Sequence, residues 1–330
     1  MTSATKSRPG EFTLIDRYFR PLAVSAGAFG LVDDAARYRP RRGEDLVLTA
    51  DMISAGVHFL PDDPPASIAR KALRVNLSDL AAKGATPVGY LLALALPADW
   101  TEKWIRGFVS GLRGDQKTYN ISLFGGDTTR AADALTIAVT AIGTVPRGKM
   151  VLRSGARPGD AIFVSGTIGD GALGLRIHNG AAAPSQRAAA SLRDRYLHPR
   201  PRMGLAALLR RYATSAMDVS DGLVGDLTHI CRASGVGAEI QASRIPLSRH
   251  AKAMLKADFG MLATILTGGD DYEILATVKS TRAADFARKA EEAGVPVTRI
   301  GQIVEGNRSP IVFGGEGKPI KLSKIGHTHF

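Results

Sequence analysis

Aspartate residues recur in this sequence beside apolar segments, where a strand is predicted to end or where glycine and serine mark a turn. Surface acids ordinarily alternate with lysine on helix faces, and these do not. Carboxylates beside buried segments are costly unless a cation neutralises them. The pattern therefore predicts a site for divalent metal ions. The residues are Asp33, Asp34, Asp51, Asp127, Asp218, Asp221, Asp270 and Asp271, together with Asp79 on a predicted helix.

The chemistry of these side chains favours one kind of metal. Their donor atoms are all oxygens, and the chain has only one cysteine and seven histidines. Oxygen ligands favour Mg²⁺ over Zn²⁺. Because Mg²⁺ completes its coordination with water and substrate phosphates, the set indicates phosphoryl transfer or phosphate activation.

Other residues with a possible chemical role allow two interpretations each. Paired glycines precede Asp127 in LFGGDTT and Asp270 in ILTGGDDYE. They could let backbone N–H groups approach a phosphate, or they could simply form tight turns. Arg153 could pair with a phosphate or lie on the surface, and His58 could be a ligand or a structural residue. The sequence contains neither a P-loop nor a dinucleotide-binding glycine pattern. It also shows no Ser–His–Asp order, so covalent nucleophilic catalysis is not expected.

The elements that position these residues are strands and helices, which are predicted to alternate in both halves of the chain. This alternation predicts an α/β or α+β fold. A Gly-, Pro- and Arg-rich stretch at 147–160 has no hydrophobic period, so we place a domain boundary there, giving domains 1–150 and 151–330. Gly84 is predicted to cap the helix that carries Asp79. The elements predicted around the acids are a strand at 45–53, helices at 67–85 and from Trp100 to Leu112, and a strand at 120–129 that runs into a glycine turn.

Composition narrows the class of protein. Hydrophobic residues make up 45% and charged residues 22% of the 330-residue chain, as in folded domains. The longest apolar runs reach about eight residues, whereas a membrane span needs about twenty. The first residues lack the apolar stretch of a secretory signal. The single cysteine, Cys231, excludes an internal disulfide and fits a cytoplasmic location.

The net charge of +12 raises the possibility of a nucleic-acid partner. Much of the excess lies between Arg187 and Arg211, where seven arginines accompany one acid, Asp194. A nucleic-acid groove would also use aromatic side chains for stacking, and this segment has only Tyr196. We therefore expect no nucleic-acid or membrane partner, and we interpret the cluster as a solvated helix face whose role the sequence leaves open.

The motifs taken together resemble the thiamine-monophosphate kinase family of the aminoimidazole-ribotide-synthetase-like superfamily. They run in family order over nearly the whole chain: GEFTLIDRYF, VDDAA, KALRVNLSDLAAKGATP, LFGGDTTR, LRSGARPGD, VSGTIGD, DVSDGLVGDLTHI, GGDDYE and GHTHF. The resemblance implies an N-terminal sheet domain that binds ATP and Mg²⁺ and dimerises, and a C-terminal α/β domain that completes the active-site cleft. It implies a homodimeric kinase that converts thiamine monophosphate to thiamine diphosphate by direct in-line transfer from ATP, with several Mg²⁺ ions.

The same resemblance assigns roles residue by residue. The metal ligands would be Asp34, Thr49, Asp51, Asp79, Asp127, Asp218 and Asp221. The ATP contacts would be Tyr119, Gly126, Asp127, Arg153 and Ser220. The thiamine-phosphate contacts would be His58, Asp270 and His327.

Four positions depart from the family pattern. Val32 replaces a glycine before the paired aspartates, and Ala50 replaces a threonine before the strand-end aspartate. Asp270 stands where glutamate also occurs, and His327 stands where an aromatic residue is usual. The alternative is a superfamily synthetase that uses ATP on an amide or amidine substrate, although His58 and the terminal GHTHF favour the kinase. A selenophosphate synthetase would need a reactive cysteine near the N-terminus, where none is encoded.

Overall fold

The structure is a computed structural model that describes residues 9–315, 317–322 and 326. His327, one of the predicted substrate contacts, lies outside the described residues. The chain divides into two compact units, which we call unit 1 (Met1–Asn76 and Pro87–Thr144) and unit 2 (Leu77–Thr86 and Val145–Phe330). Within the described part of the chain, no helix combines the length and apolar character that a membrane crossing requires.

Both units combine helices with one sheet. The helices are α1 (Glu11–Leu14), α2 (Pro65–Ala82), α3 (Glu102–Tyr119), α4 (Asp170–His178), α5 (Gln186–Leu197), α6 (Ala206–Tyr212), α7 (Leu223–Ser234), α8 (Arg249–Ala257), α9 (Met261–Thr267) and α10 (Ala283–Glu292). The strands are β1 (Glu44–Ser54), β2 (Thr86–Leu96), β3 (Ser122–Arg130), β4 (Thr136–Pro146), β5 (Ala161–Ser165), β6 (Ala213–Asp218), β7 (Gly237–Gln241), β8 (Ile274–Val278), β9 (Val297–Val304) and β10 (Ile311–Phe313).

Unit 1 contains a four-stranded sheet in the order β1-β4-β2-β3, in which β2 and β3 are parallel. Successive side chains of a strand point to opposite faces, and β1 shows this alternation clearly. Val47 and Ile53 are buried, whereas Leu48 and Met52 are exposed. Thr49 and Asp51 lie in the same alternation as the buried pair, so β1 directs both candidate ligands away from the exposed apolar face.

Helix α3 continues seven residues beyond Leu112, so the prediction for its C-terminal end was wrong. The segment that follows Leu112 lacks an apolar period, which is why the sequence pattern missed it. An ion pair replaces apolar packing there: Arg74 of α2 donates from Nε and Nη2 to the two carboxylate oxygens of the buried Asp115, both at 2.7 Å. The helix then ends at Asn120, whose left-handed φ of 51° closes it.

The other elements near the acids follow the sequence closely. The strand predicted at 45–53 is β1, and the helix predicted at 67–85 is α2, followed by Gly84 with a φ of 70° in the predicted capping position.

The glycine turn predicted at the end of β3 was wrong, because β3 continues to Arg130. Gly126 makes this possible: a β-carbon there would lie 1.8 Å from the carbonyl oxygen of Leu92 on β2, so only glycine fits.

Unit 2 contains a six-stranded sheet in the order β10-β7-β9-β5-β8-β6. All its strand pairs are antiparallel except β10 with β7. The central strand β5 contributes side chains to two hydrophobic cores: Ile162 and Val164 pack in one cluster, and Phe163 packs in another. Helices therefore cover both faces: α7 supplies Leu227 to the first cluster, and α10 supplies Phe286 to the second. The predicted α/β (α+β) class with two sheet domains is confirmed.

Candidate active site

Unit 1 places two predicted metal ligands around one pocket. Asp34 and Asp127 line a cavity of about 200 Å³, together with the backbone of Gly125 and Gly126. Leu92, Leu123 and Phe124, with Ile15 and Phe19, supply an apolar wall. Carboxylates beside apolar side chains suit a ligand that carries both a charged and an apolar part.

The substitution of Val32 for the usual glycine causes no strain in this pocket. Val32 has a φ of −105°, which any residue adopts. The positive φ values fall just before it instead, at Phe29, Gly30 and Leu31. The chain therefore reaches Asp34 without a glycine at position 32.

Two further candidates of unit 1 are held by local hydrogen bonds. The backbone N–H of Asp51 donates to the side-chain oxygen of Asn76 on α2 at 3.1 Å. The N–H of Ser54 donates to Nδ1 of His58 at 3.1 Å, which leaves the proton of a neutral imidazole on Nε2. Strand β1 and helix α2 thus fix the position of Asp51, and a turn after β1 fixes the tautomer of His58.

In unit 2, a lysine that sequence reasoning missed lies among three predicted site residues. The Nζ of Lys83 donates to the carbonyl oxygen of Ala216 at 2.8 Å. The pKa of Lys83 is lowered to about 8, chiefly by burial and also by the charge of Arg153, against the opposing charges of Asp218 and Asp79. Asp79, Arg153 and Asp218 are therefore close enough for their charges to act on one amine. The signal in the sequence was the spacing of Asp79 and Lys83, which places them on one side of the end of α2.

An acid that the sequence analysis did not select, Asp226, completes a carboxylate cluster. Asp226 on α7 is fully buried, and its Oδ2 accepts a hydrogen bond from the N–H of Asp221 at 3.1 Å. Its Oδ1 has no partner among the described residues. Burial raises the pKa of Asp226 well above its usual value, and the charges of Asp218 and Asp221 raise it further. An aspartate amid the apolar period of Leu223, Leu227 and Ile230 was the available signal.

The cluster has the geometry of a possible cation site. One ligand atom from each of Asp221, Asp226 and His229 lies within 4.8 Å of the others. Strand β6 ends at Asp218 and α7 starts at Leu223, so the short DVSDG connection places Asp218 and Asp221 next to the first turn of α7, which carries Asp226. The crowded negative charge would be relieved by a bound cation.

The loop that carries Asp270 lies against the same connection. The N–H of Asp270 donates to the carbonyl oxygen of Ser220 at 2.8 Å, which joins a predicted substrate residue to a predicted ATP residue. Gly326, the first residue of GHTHF, also lies here, because a β-carbon on it would be 3.2 Å from the carbonyl oxygen of Asp221.

Nine of the predicted residues form two groups, one in each unit, whereas Thr49, Asp51 and His58 do not line the unit 1 pocket. Unit 1 brings Asp34, Gly126 and Asp127 together, and unit 2 brings together Asp79, Arg153, Asp218, Ser220, Asp221 and Asp270. Tyr119 does not line the unit 1 pocket; the guanidinium of Arg74 lies over its ring at 5.8 Å. Its predicted role in ATP binding stays a prediction, as do the individual roles of the other residues.

Comparisons with known proteins bear on what these groups do. Residues 32–145 match the family model of the AIR synthase related protein, N-terminal domain, and residues 157–313 match that of the C-terminal domain. The chain is 42% identical to the thiamine-monophosphate kinase of Caulobacter vibrioides over 97% of its own length and 91% of that protein's. It is 41% identical to the thiamine-monophosphate kinase of Escherichia coli K12, with 97% and 98% covered.

Solved structures agree with the sequence relatives. The thiamine-monophosphate kinase of Stenotrophomonas maltophilia K279a superimposes with a TM-score of 0.83 at 41% identity, covering 94% of this chain and 98% of that one. AaThiL complexed with AMPPCP and TMP gives a TM-score of 0.78 at 32% identity, covering 99% of this chain and all of that one. The hydrogenase maturation protein HypE shares the fold at 19% identity with a TM-score of 0.76. From its two domains and its full-length relatives, this chain belongs to the thiamine-monophosphate kinase family.

Proposed function

We propose that the chain phosphorylates thiamine monophosphate to thiamine diphosphate with ATP as the phosphoryl donor. The observation that carries the proposal is the group of Asp79, Asp218 and Arg153 around Lys83 in unit 2. Phosphoryl transfer needs carboxylates that hold metal cations and positively charged side chains that bind phosphates. The ATP analogue and the TMP bound by a relative of nearly equal length support the same substrates. The relatives favour this activity over an amide- or amidine-directed synthetase.

The donor set fits Mg²⁺. The predicted ligands offer carboxylate and hydroxyl oxygens, and the buried Asp226 adds an Oδ1 that no described residue engages, so the cluster retains an acceptor to spare. We propose that Asp34, Thr49, Asp51 and Asp127 of unit 1, and Asp79, Asp218 and Asp221 of unit 2, hold the ions. Bound Mg²⁺ would neutralise the phosphates of ATP and of the acceptor.

The chain's own residues would then align the two substrates. The phosphate of thiamine monophosphate is already anionic at neutral pH, so the acceptor needs no strong general base. Arg153 would contact the phosphates of ATP, and Gly126 and Ser220 would add polar contacts. His58 and Asp270 would hold the acceptor, and catalysis would consist of alignment and charge neutralisation.

The proposal is tested by incubating the protein with ATP, Mg²⁺ and thiamine monophosphate and following thiamine diphosphate by mass spectrometry. Free thiamine is the negative control and should stay unphosphorylated. A protein that forms no thiamine diphosphate under these conditions would contradict the proposal.

Substitution of one acid tests the role of the group. Asp218→Asn keeps the shape of the side chain but removes its charge, so we expect kcat to fall by about a hundredfold or more. Glu305→Gln removes an exposed acid of unit 2 and should leave kcat unchanged. Equal activity of the two variants at saturating Mg²⁺ would show that Asp218 does not serve the reaction.

We also infer a homodimer. Leu46, Leu48 and Met52 of β1 and Leu91 of β2 are 46%, 64%, 62% and 40% exposed. Large apolar side chains exposed on several positions of one sheet are typical of a surface that another chain covers. The single, buried cysteine is compatible with the cytoplasmic location that we infer for the enzyme.

A further inference from the structure

The loop of residues 268–273, which we call the GGDDYE loop, has an unusual backbone. Gly269, Asp270 and Tyr272 have φ values of 74°, 60° and 51°. Two of the three are not glycine. Residues that carry a β-carbon rarely adopt this left-handed backbone conformation, because the β-carbon is repelled by the neighbouring carbonyl oxygen. The loop therefore keeps its shape only because its surroundings hold it.

Backbone hydrogen bonds tie this loop to the DVSDG connection. The N–H of Asp270 donates to Ser220 and that of Tyr272 to Val219, both at 2.8 Å. A β-carbon on Gly269 would lie 2.2 Å from the carbonyl oxygen of Ser220, so the two segments are in close contact. The conformation of the loop thus decides where Asp270 lies relative to Ser220.

Buried side chains anchor the loop on each side of Tyr272. The carboxylate of Asp271 accepts from the N–H groups of Gly169 and Gly171, at 2.7 and 3.0 Å, at the start of α4. Glu273 is fully buried and accepts from the hydroxyl of Ser165 at 2.6 Å. That hydroxyl in turn accepts from the N–H of Ile274 at 2.8 Å.

Two arginines of the basic segment Arg187–Arg211 complete the second anchor. Arg202 donates to Glu273 through Nε, at 2.6 Å, and through Nη2, so it binds both carboxylate oxygens. Arg195, only 7% exposed, donates from Nη2 to Glu273 at 3.0 Å and to the carbonyl oxygen of Asp271 at 3.3 Å. These two members of the basic segment therefore face the protein interior.

From these contacts we infer that Arg195, Arg202 and Glu273 are positioning residues, which hold the GGDDYE loop so that Asp270 is presented to the acceptor substrate. The inference rests on the proposed function, in which Asp270 contacts thiamine monophosphate. The three residues have no assigned contact with a substrate, and in this inference they act through the backbone on either side of Asp270.

The charge balance of the triad selects the substitution that tests it. Removing Glu273 would leave the buried guanidinium of Arg195 without an acidic partner, which endangers the fold. Removing Arg202 leaves Arg195 and Glu273 as a balanced pair, so Arg202→Met should fold while losing the two-point contact. Arg202→Lys keeps the charge but replaces the planar fork with a single donor group.

The kinetic readout separates positioning from general stability. For Arg202→Met we expect the KM for thiamine monophosphate to rise about tenfold, with the KM for ATP changed by less than about twofold. Arg202→Lys should recover part of the loss. Arg200→Met is the matched control, because Arg200 lies two residues away, is exposed and pairs with Asp194 rather than Glu273. Equal rises in both KM values, or an unchanged KM for thiamine monophosphate, would overturn the inference.

A second measurement does not depend on activity. Hydrogen–deuterium exchange of peptides covering residues 268–273 should be faster in Arg202→Met than in the wild type and in Arg200→Met. Wild-type exchange rates in Arg202→Met would overturn the inference even if the enzyme is active. A wild type without turnover would refute the proposed function, and the exchange rates would still decide whether the triad holds the loop.

Discussion

Asp271 combines complete burial with two hydrogen bonds from backbone N–H groups. Burial raises its pKa from 3.8 to about 8, because the loss of hydration outweighs the two donors. In the unfolded chain this carboxyl loses its proton near pH 4, whereas in the folded chain it keeps the proton to about pH 8. Its contribution to stability is therefore largest in acid, decreases as the pH rises from about 4 to about 8, and is constant above.

This behaviour predicts a difference between the wild type and Asp271→Asn, which cannot ionise. We expect the Tm of the wild type, measured relative to that of the variant, to decrease between pH 5 and pH 8. Thermal unfolding at several pH values measures it, with the exposed Asp258→Asn as a control that should follow the wild type. Parallel Tm curves for the wild type and Asp271→Asn would contradict the raised pKa.

Individual candidate site residues could be selected from the sequence where an acid lies in a turn or at the end of a strand. Asp34, Asp127 and Asp218 were selected because an acid beside a buried strand is unusual. Asp226 and Glu273 were missed because they lie inside apolar patterns, where the sequence does not reveal which residue compensates a buried charge. Arg195 and Arg202 were interpreted as a solvated face, and only the fold shows that they meet Glu273, more than seventy residues later.

Helices α2 and α3 illustrate a constraint that acts between elements. A β-carbon on Gly111 of α3 would lie 2.4 Å from the carbonyl oxygen of Ala66 on α2, so the two helices cross at a glycine. The same α2 carries Asn76, which holds the backbone of Asp51. The close crossing thus helps to place one of the candidate metal ligands.

Two alanine substitutions in α3 should therefore have opposite effects. Gly111→Ala forces the helices apart, and we expect a loss of about 1–3 kcal/mol in the free energy of unfolding. Gly114→Ala meets only the end of the Arg70 side chain, at 3.9 Å, and should stabilise the helix by about 0.5–1 kcal/mol. Urea denaturation measures both. A Gly111→Ala variant as stable as the wild type would show that the crossing is not tight.

Element positions followed from the sequence wherever the hydrophobic period was strong, as in β1 and the first four turns of α2. They failed where an ion pair replaced that period, at Asp115 in α3, and where β3 continued through a glycine pair. Both failures depend on a partner from another element, Arg74 or Leu92, and local periodicity contains no information about such partners.

For the whole molecule, the exposed apolar face of unit 1 predicts the oligomeric state. The chain has a mass of 34.9 kDa, and we expect light scattering after size exclusion to give twice this value. Leu48→Lys places a charge in the middle of the face and should shift the mass towards that of one chain. Phe259→Lys changes a side chain that is 76% exposed in unit 2 and should leave the mass unchanged. A wild-type monomer at micromolar concentration would contradict the dimer.

Cys231 has a practical consequence for experiments of this kind. The thiol is buried in the core of unit 2, and burial raises its pKa to about 11, so almost none of it is thiolate at neutral pH. Maleimides and other thiol reagents should therefore not react with Cys231 in the folded chain. A cysteine introduced at any exposed position can carry a single fluorophore or spin label without prior removal of Cys231, and distances to that label can be followed during turnover.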